Sequence, residues 1–336
     1  MDEFFLSASA ELGNNFNLIQ GAGGNTSYKE GNSLFIKASG YKLKDCIEKN
    51  IFVEVNLTIL RESLRLNKFN PLEGAWDKSS GKKPSMETNM HAILPQKYIF
   101  HVHCLNTISS VLQEDYELKI SRLFKDLKYK IIKYKTPGTP LANEIKKTIK
   151  NDKPEILFLL NHGLVVASDK VDEALALTYY VSKKLDFPSE VSHKEDLEKL
   201  KYFAEGTYFR PIKYSDANSI AFSEHQTKIV STGSLYPDYV VFVGTKILII
   251  KNKSDILKIK SNTNSNQKYP IVIVPNAGLL VSKNISFEAE ELVLALSKVV
   301  AKIPKNKGIN YLNKKEVYEL ENSNSEAYRL NLNNRN

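Results

Sequence analysis

Residues 98–104 form the stretch Tyr98-Ile99-Phe100-His101-Val102-His103-Cys104, which decides the predicted fold. It is an apolar run rich in aromatic and β-branched residues, and it follows the helix breaker Pro95, so it predicts a buried β-strand. Alternate side chains of a strand point to one face, so His101 and His103 can reach the same ion. The pair by itself leaves two interpretations open, a metal site and two half-buried strand histidines.

The segments around this strand predict an alternation of helices and strands. Pro84-Ser85 predicts the start of a helix that ends before Pro95, with Ser85 as its N-cap. Further helices are predicted over residues 2–12, 57–66, 106–113, 140–150 and 170–186, and further strands over 27–29, 33–37, 51–55, 131–134, 155–160 and 164–167. The mixture predicts α/β or α+β layers around one sheet.

The pattern changes near residue 188, where a charged segment follows the last of these helices. We therefore expect two domains, at 1–188 and 189–336, the second being a smaller α/β domain. Within it the sequence predicts strands near 238–243, 246–251, 270–275 and 278–282, a helix over 285–303 and a polar helix over 313–328.

A stretch of the first half is echoed in the second. Segment 154–166, with Asn161-His162-Gly163 at its turn, is similar to segment 270–281, with Asn276-Ala277-Gly278. Both precede a helix with a Glu-Ala pair. If the halves are related, Ala277 stands where His162 stands, and the second domain is a degenerate, metal-free repeat. Strand–turn–strand–helix units often look alike, so duplication and coincidence both stay open.

His162 is the candidate third metal ligand, because it lies in a tight turn directly after an apolar strand. Three neutral imidazoles with one open coordination position are typical of a catalytic zinc site rather than a structural one.

Glu87 is a candidate general base beside that site. It lies four residues before His91 in the helix that leads into the His101 strand, so the two share a helix face. Glu87 could serve as a general base near a bound metal if burial raised the pKa of its carboxyl toward neutrality. The alternatives are a first-turn carboxylate favoured by the helix dipole for Glu87 and a core histidine for His91, which is the preferred interpretation there.

Small residues at turns and at a helix start form a candidate anion site. They are Asn25 after Gly23-Gly24, the Ser39-Gly40 turn and Ser85. Backbone N–H groups can approach an anion closely there, and Lys37 could add charge. Ordinary turn chemistry is the alternative.

Composition limits the class of protein. The 336 residues carry a formal charge of +9, which suits a phosphorylated substrate. The sequence has no basic stripe with interleaved aromatic residues, so nucleic-acid binding is not predicted. The sequence contains no run of about 18 apolar residues, so no membrane span is predicted. The first residues are acidic where a signal peptide is basic, and there are two cysteines, Cys46 and Cys104. We therefore expect a cytoplasmic protein.

These motifs occur in an order that resembles the class II aldolase/adducin family over about residues 15–187. The order is Gly21-Ala22-Gly23-Gly24-Asn25-Thr26-Ser27, Lys37-Ala38-Ser39-Gly40, Pro84-Ser85-Met86-Glu87-Thr88-Asn89-Met90-His91, His101-Val102-His103 and Asn161-His162-Gly163.

The resemblance implies a three-layer α/β/α fold with a central, mainly antiparallel sheet. It implies Zn²⁺, or another divalent metal such as Mn²⁺ or Co²⁺, on His101, His103 and His162, with Glu87 as the acid/base. It also implies a homo-oligomer and a phosphate subsite formed by Asn25, Ser39, Gly40 and Ser85.

The distance from Glu87 to His101 is shorter than in the small sugar-phosphate aldolases, and this spacing resembles a longer subfamily whose aldolase portion can precede a short-chain dehydrogenase. Gly21-Ala22-Gly23-Gly24 lacks the spacing of a dinucleotide fingerprint, so no NAD is expected.

The implied function is a metal-dependent aldolase that cleaves or forms a C–C bond of a phosphorylated ketose. A sugar-phosphate 4-epimerase or decarboxylase using the same site is one alternative. A non-catalytic, adducin-like binding module is another, although it predicts lost ligands, and all three histidines and Glu87 are present.

Overall fold

A computed structural model describes residues 2–189, 194–245, 247–259 and 270–333 of the chain. The chain divides into two compact units, the first formed by residues 1–111 and 116–186, the second by residues 112–115 and 187–336. Within the described ranges, no helix combines the length and apolar character needed to cross a membrane.

The first unit is built on one seven-stranded sheet. Its strands are β1 Asn25–Glu30, β2 Ser33–Lys37, β3 Phe52–Asn56, β4 Tyr98–Val102, β5 Tyr129–Ile132, β6 Ile156–Leu159 and β7 Gly163–Ser168. Their order is β3-β2-β1-β4-β7-β6-β5, and every neighbouring pair is antiparallel except β5 and β6. The mainly antiparallel central sheet is therefore confirmed.

Seven helices accompany this sheet in the described residues of the first unit. They are α1 Glu3–Asn14, α2 Leu57–Arg65, α3 Thr88–Ile93, α4 Leu105–Val111, α5 Tyr116–Leu123, α6 Thr139–Ile149 and α7 Val171–Lys184. The sequence did not predict α5.

The alternation of side chains along β4 separates the two helical layers. Ile99 packs in a core cluster with Met90 of α3 and Ile145 of α6. The next residue, Phe100, faces the opposite way, with its ring centroid 6.3 Å from that of Phe5 in α1. His101 shares the face of Ile99, because residues i and i+2 of a strand point the same way, and it therefore faces the layer that contains α3.

The second unit has a smaller sheet. Its strands are β8 Phe209–Pro211, β9 Leu248–Ile249, β10 Ile271–Val274 and β11 Gly278–Ser282. Its helices are α8 Leu197–Ala204, α9 Glu224–Thr232, α10 Lys253–Leu257, α11 Phe287–Ala301, α12 Lys314–Glu321 and α13 Asn324–Asn333, with a 3₁₀ segment at Ser215–Phe222.

Three expectations for this unit need correction or qualification. The strand predicted near 238–243 is wrong, because Tyr239–Val243 forms a π-helical turn; a short, fully apolar run does not distinguish a buried strand from a buried helix. The polar helix predicted over 313–328 is two helices with a break at Asn322-Ser323. Residue 246 of the strand predicted over 246–251 lies outside the described residues.

The sheet of the second unit has the same strand order as half of the first sheet. Order β8-β11-β10-β9 matches β4-β7-β6-β5, and chain order maps β8 to β4, β9 to β5, β10 to β6 and β11 to β7. Strand directions also agree, since β11 is antiparallel to both of its neighbours and β9 is parallel to β10.

The two central hairpins also share their register. Leu159 pairs with Gly163, and Val274 pairs with Gly278, so three residues form each loop. The middle residue is left-handed in both, with φ 53° at Asn161 and 55° at Asn276. Ala277 thus occupies the loop position of His162.

The same register fixes the counterparts of the other two histidines. His101 pairs with Val165, two residues after Gly163, and Pro211 pairs with Leu280, two residues after Gly278. Pro211 therefore stands at the place of His101, and Lys213 at that of His103.

Candidate metal centre

Three histidines converge at the end of β4. His101 is within the strand, His103 is just beyond it, and His162 is in the loop between β6 and β7. Because β4 pairs with β7, that loop lies beside the end of β4. The ring centroids are 5.0 Å apart for His101 and His103, 4.9 Å for His101 and His162, and 5.4 Å for His103 and His162. All three are buried, and one potential ligand atom from each lies within 4.8 Å of the others.

Two glycines permit this close approach. A Cβ on Gly23 would lie 2.9 Å from Nδ1 of His103, and a Cβ on Gly163 would lie 2.6 Å from the carbonyl oxygen of Val102. The glycine-rich loop thus packs its backbone against an imidazole, a contact that the sequence did not predict.

The backbone fixes the tautomer of His101. Its Nδ1 lies 3.0 Å from the carbonyl oxygen of Leu164, which can only accept a hydrogen bond. Nδ1 therefore carries the proton, and Nε2 presents a lone pair toward the cluster. A backbone carbonyl often orients a metal-binding histidine in this way.

Glu87 closes the cluster from the α3 side. It immediately precedes α3, and its Oε2 lies 3.2 Å from Nε2 of His101 while its Oε1 lies 3.4 Å from Nε2 of His162. The side chain amide of Asn25 donates a hydrogen bond to Oε2 at 2.8 Å.

The pKa of Glu87 is lowered, not raised. Burial alone would raise it, but the adjacent imidazoles, led by His101, and the hydrogen bond from Asn25 lower the pKa to about 2. The upward pKa shift that a near-neutral general base would need does not occur, and Glu87 is a carboxylate at neutral pH.

This arrangement fits a divalent cation. A lone pair on His101 Nε2 faces an ionised carboxylate oxygen at 3.2 Å, and two such electron-rich atoms need a positive charge near them. Three imidazoles with an adjacent carboxylate are ligands that suit Zn²⁺ and related transition metals.

The first unit also matches a known family. The family model of the class II aldolase and adducin N-terminal domain matches residues 5–186, more than half of the 336-residue chain. The chain belongs to the class II aldolase and adducin family. The resemblance carried by the motifs is thus confirmed.

Solved structures similar to this class II aldolase family member include three with related descriptions. The N-terminal class II aldolase domain of a conserved protein from Thermoplasma acidophilum is 22% identical, with a TM-score of 0.48, and the match covers 55% of this chain and 91% of that one. The L-fuculose-1-phosphate aldolase from Thermus thermophilus is 17% identical, with a TM-score of 0.39 and coverages of 55% and 93%. A sugar-phosphate aldolase from Thermotoga maritima is 14% identical, with a TM-score of 0.42 and coverages of 55% and 92%. No curated protein sequence matches the chain.

Three of the four expected phosphate ligands of this family member lie near one another. An isolated bridge between Ala38 and Pro84 places the Ser39-Gly40 turn beside Ser85, and the Ser39 hydroxyl donates to the Pro84 carbonyl at 3.3 Å. The Ser85 hydroxyl accepts a hydrogen bond from the Glu87 N–H at 3.2 Å. The role of these residues in phosphate binding stays a prediction.

Asn25 and Lys37 make different contacts from those expected. The Asn25 amide is engaged with Glu87, as described above. The buried ammonium of Lys37 donates to the carbonyl oxygens of Ala22 at 2.8 Å and Tyr41 at 2.7 Å. Lys37 thus joins the glycine-rich loop to Tyr41, the residue directly after the Ser39-Gly40 turn.

The first prediction concerns the loss of stability on acidification that His91 should cause. Its ring is fully buried, and burial, followed by the electrostatic effect of His101, lowers its pKa from 6.5 to about 3. Below pH 6.5 the unfolded chain binds a proton that folded His91 does not. Protonation of the unfolded chain should therefore lower the free energy of unfolding by about 1.4 kcal/mol for each unit by which the pH drops below 6.5.

Urea unfolding between about pH 5 and pH 6.5 measures this slope. His91→Phe should be less stable at neutral pH but should lose less stability on acidification, whereas Ser9→Ala, which removes a buried hydroxyl contact to Thr26, should keep the wild-type slope. Equal slopes for wild type and His91→Phe would contradict the assignment.

The second prediction concerns metal content. The purified chain should bind one divalent metal ion tightly, and His103→Ala should lose it, because two imidazoles remain where three are needed. His225→Ala is the matched control, since that histidine lies elsewhere and its Nε2 contacts the carbonyl oxygen of Ile303. Elemental analysis gives the stoichiometry.

Equal metal content in His103→Ala and wild type would count against the site. A second ion bound by residues of 189–336 would contradict the metal-free character expected of that part. Among the described residues, His101, His103 and His162 are the one group of three or more potential metal ligands close enough together to share an ion.

Proposed function

We propose that this chain is a metal-dependent aldolase that forms or cleaves a C–C bond of a phosphorylated ketose. The observation that carries the proposal is the carboxyl group of Glu87, held within 3.4 Å of two of three clustered histidines in a member of this family. That combination supplies a base beside a metal-binding cluster, as proton abstraction next to a carbonyl requires.

A divalent ion held by His101, His103 and His162 would polarise the substrate carbonyl and stabilise negative charge on its oxygen. Zn²⁺ is the ion we expect, with Mn²⁺ or Co²⁺ as substitutes.

Glu87 performs the proton transfer. In the direction of C–C bond formation, its carboxylate takes a proton from the carbon next to the carbonyl. The electron pair left on that carbon attacks the carbonyl carbon of an aldehyde, and a second acid protonates the aldehyde oxygen. Cleavage runs through the same steps in reverse, with protonated Glu87 returning its proton to carbon.

The burial of Glu87 supports this role. Its carboxylate is about one-twentieth exposed, so little bulk water surrounds the group that exchanges a proton with carbon. Asn25 holds one of its oxygens, so the carboxylate has a fixed orientation.

We further propose that a phosphate of the substrate binds at Ser39, Gly40 and Ser85, the three expected ligands that lie near one another; the fourth, Asn25, has its amide engaged with Glu87. Support comes from the pairing of Ala38 with Pro84, which brings the two serine-bearing segments together next to Glu87. Backbone N–H groups and hydroxyls are the donors.

For the second domain, residues 189–336, we propose a metal-free copy of half of the first. The shared strand order and hairpin register support a duplication. Pro211, Lys213 and Ala277 stand at the places of the three histidines, and none of them can replace an imidazole. We expect this domain to serve packing or substrate enclosure, and the chain to form a homo-oligomer.

The third prediction tests the reaction. A screen of ketose phosphates with added Zn²⁺, Mn²⁺ or Co²⁺ should release dihydroxyacetone phosphate and an aldehyde from one substrate. Glu87→Gln should fold and keep its metal but lose most turnover, by about 100-fold or more, because it keeps the shape and removes the proton acceptor.

Product analysis distinguishes the alternatives. An epimerised sugar or carbon dioxide, in place of an aldehyde, would show that the same residues perform a different reaction. Near-normal turnover by Glu87→Gln would remove Glu87 from the mechanism.

The fourth prediction tests the anion subsite. Ser39→Ala should raise KM for the phosphorylated substrate far more than it lowers kcat, because the hydroxyl binds the substrate in its ground and transition states alike. Inorganic phosphate should compete with the substrate. Ser33→Ala, an exposed hydroxyl that contacts Glu54 on the neighbouring strand, is the control. Equal turnover of a sugar and its phosphate ester would refute the assignment.

A further inference from the structure

A chain of buried side chains leads away from Glu87 on the side opposite the histidines. Asn25 Nδ2 donates to Oε2 of Glu87 at 2.8 Å, and Oδ1 of the same amide lies 2.5 Å from Nε2 of His91. Nδ1 of His91 lies 2.7 Å from the Ser27 hydroxyl. All four residues are buried, so water does not substitute for these contacts.

The local geometry explains why the four groups meet in order. Asn25 and Ser27 lie two residues apart on β1 and pair with His101 and Ile99 of β4, so they face α3. Two strand residues advance about 6.7 Å and four helical residues about 6 Å, so the spacing of Asn25 and Ser27 matches that of Glu87 and His91. Each strand residue therefore lies opposite one residue of the pair on the helical segment.

The orientation of the Asn25 amide gives the hydrogen-bond chain its direction. Its NH₂ faces Glu87, and its carbonyl oxygen, which can only accept a hydrogen bond, faces His91. His91 must then donate from Nε2, which leaves Nδ1 to accept from the Ser27 hydroxyl. One orientation of the amide and one tautomer of the imidazole satisfy all three contacts.

We propose that His91 is a positioning residue for Glu87, acting through the amide of Asn25. The ring prevents the amide from rotating, and the amide fixes Oε2, so Oε1 is the oxygen that exchanges a proton with substrate. A buried neutral ring suits this task, since burial lowers the pKa of His91 to about 3 and the ring stays uncharged. The effect on turnover rests on the proposed function of Glu87, while the direction of the hydrogen bonds from Ser27 to Glu87 does not.

The first test needs no substrate. Long-range ¹H–¹⁵N NMR of the full chain, with the His91 signals identified by their loss in His91→Phe, reports the tautomer. We expect neutral imidazole protonated at Nε2 throughout about pH 5 to 8. The Nδ1–H tautomer, or an imidazolium that titrates within this range, would overturn the proposal.

The second test separates positioning from simple packing. His91→Phe should lower kcat by about 10- to 100-fold, as loss of a residue that orients a reacting group typically does, with KM changed by less than about twofold and metal content unchanged. His91→Gln, whose amide can donate to Asn25 and accept from Ser27, should recover most of kcat. Ser9→Ala, which removes a buried hydroxyl contact to the neighbouring Thr26, should behave as wild type.

Each outcome decides one question. Equal kcat in His91→Phe and wild type would overturn the positioning role, and so would a His91→Gln variant no better than His91→Phe. If His91→Phe does not fold, Ser27→Ala takes its place and should lower kcat with little change in KM. A wild-type protein that cleaves no ketose phosphate would refute the proposed function. The NMR measurement of the His91 tautomer would then still test the proposed hydrogen bonds by itself.

Discussion

The antiparallel pairing of β4 with β7 is the constraint on which the site depends. It sets Val102 opposite Leu164, and this places the loop containing His162 beside the end of β4, where His101 and His103 lie. The same ladder supplies the carbonyl of Leu164 that orients the His101 ring. A slip of one residue would turn His101 to the opposite face, away from Glu87.

The electrostatics of the site follow from placing one carboxylate among several imidazoles in a buried space. Desolvation opposes a charge on Glu87, but the electrostatic effect of the neighbouring imidazoles, led by His101, and the hydrogen bond from Asn25 outweigh it. His91 lies on the other side of Asn25, and its ring stays neutral because charging it would add a buried cation with no carboxylate in direct contact. Glu87 is thus charged and His91 neutral, although they lie four residues apart, because each has different contacts.

Much of this site could be predicted from the sequence. The two-residue spacing in 101–103 and the tight turn at 161–163 indicated one cluster, and the period of a strand made that inference sound. The contact between Asn25 and Glu87 could not be predicted, because it joins residues 62 apart and depends on β1 lying beside β4 beneath α3. The lowered pKa of Glu87 could not be predicted either, because it depends on how many imidazoles surround the carboxyl in the folded chain.

The fold shows a similar division. Strands with clear turn residues, such as β2 and β6, were predicted from local patterns. The π-helical turn at Tyr239–Val243 could not be predicted, because its apolar residues are all compatible with a strand.

The short segment Leu112–Asp115 makes the two units inseparable by a single cut. It belongs to the second unit although the first unit flanks it on both sides. Gln113 bridges to Ile309, and the backbone N–H of Glu114 donates a hydrogen bond to the carbonyl oxygen of Gly308. A fragment ending near residue 188 would retain this segment but lose its partners. Neither half of the gene therefore encodes a complete unit, and a graft or exchange of one unit would have to carry these four residues with the distant part of the chain.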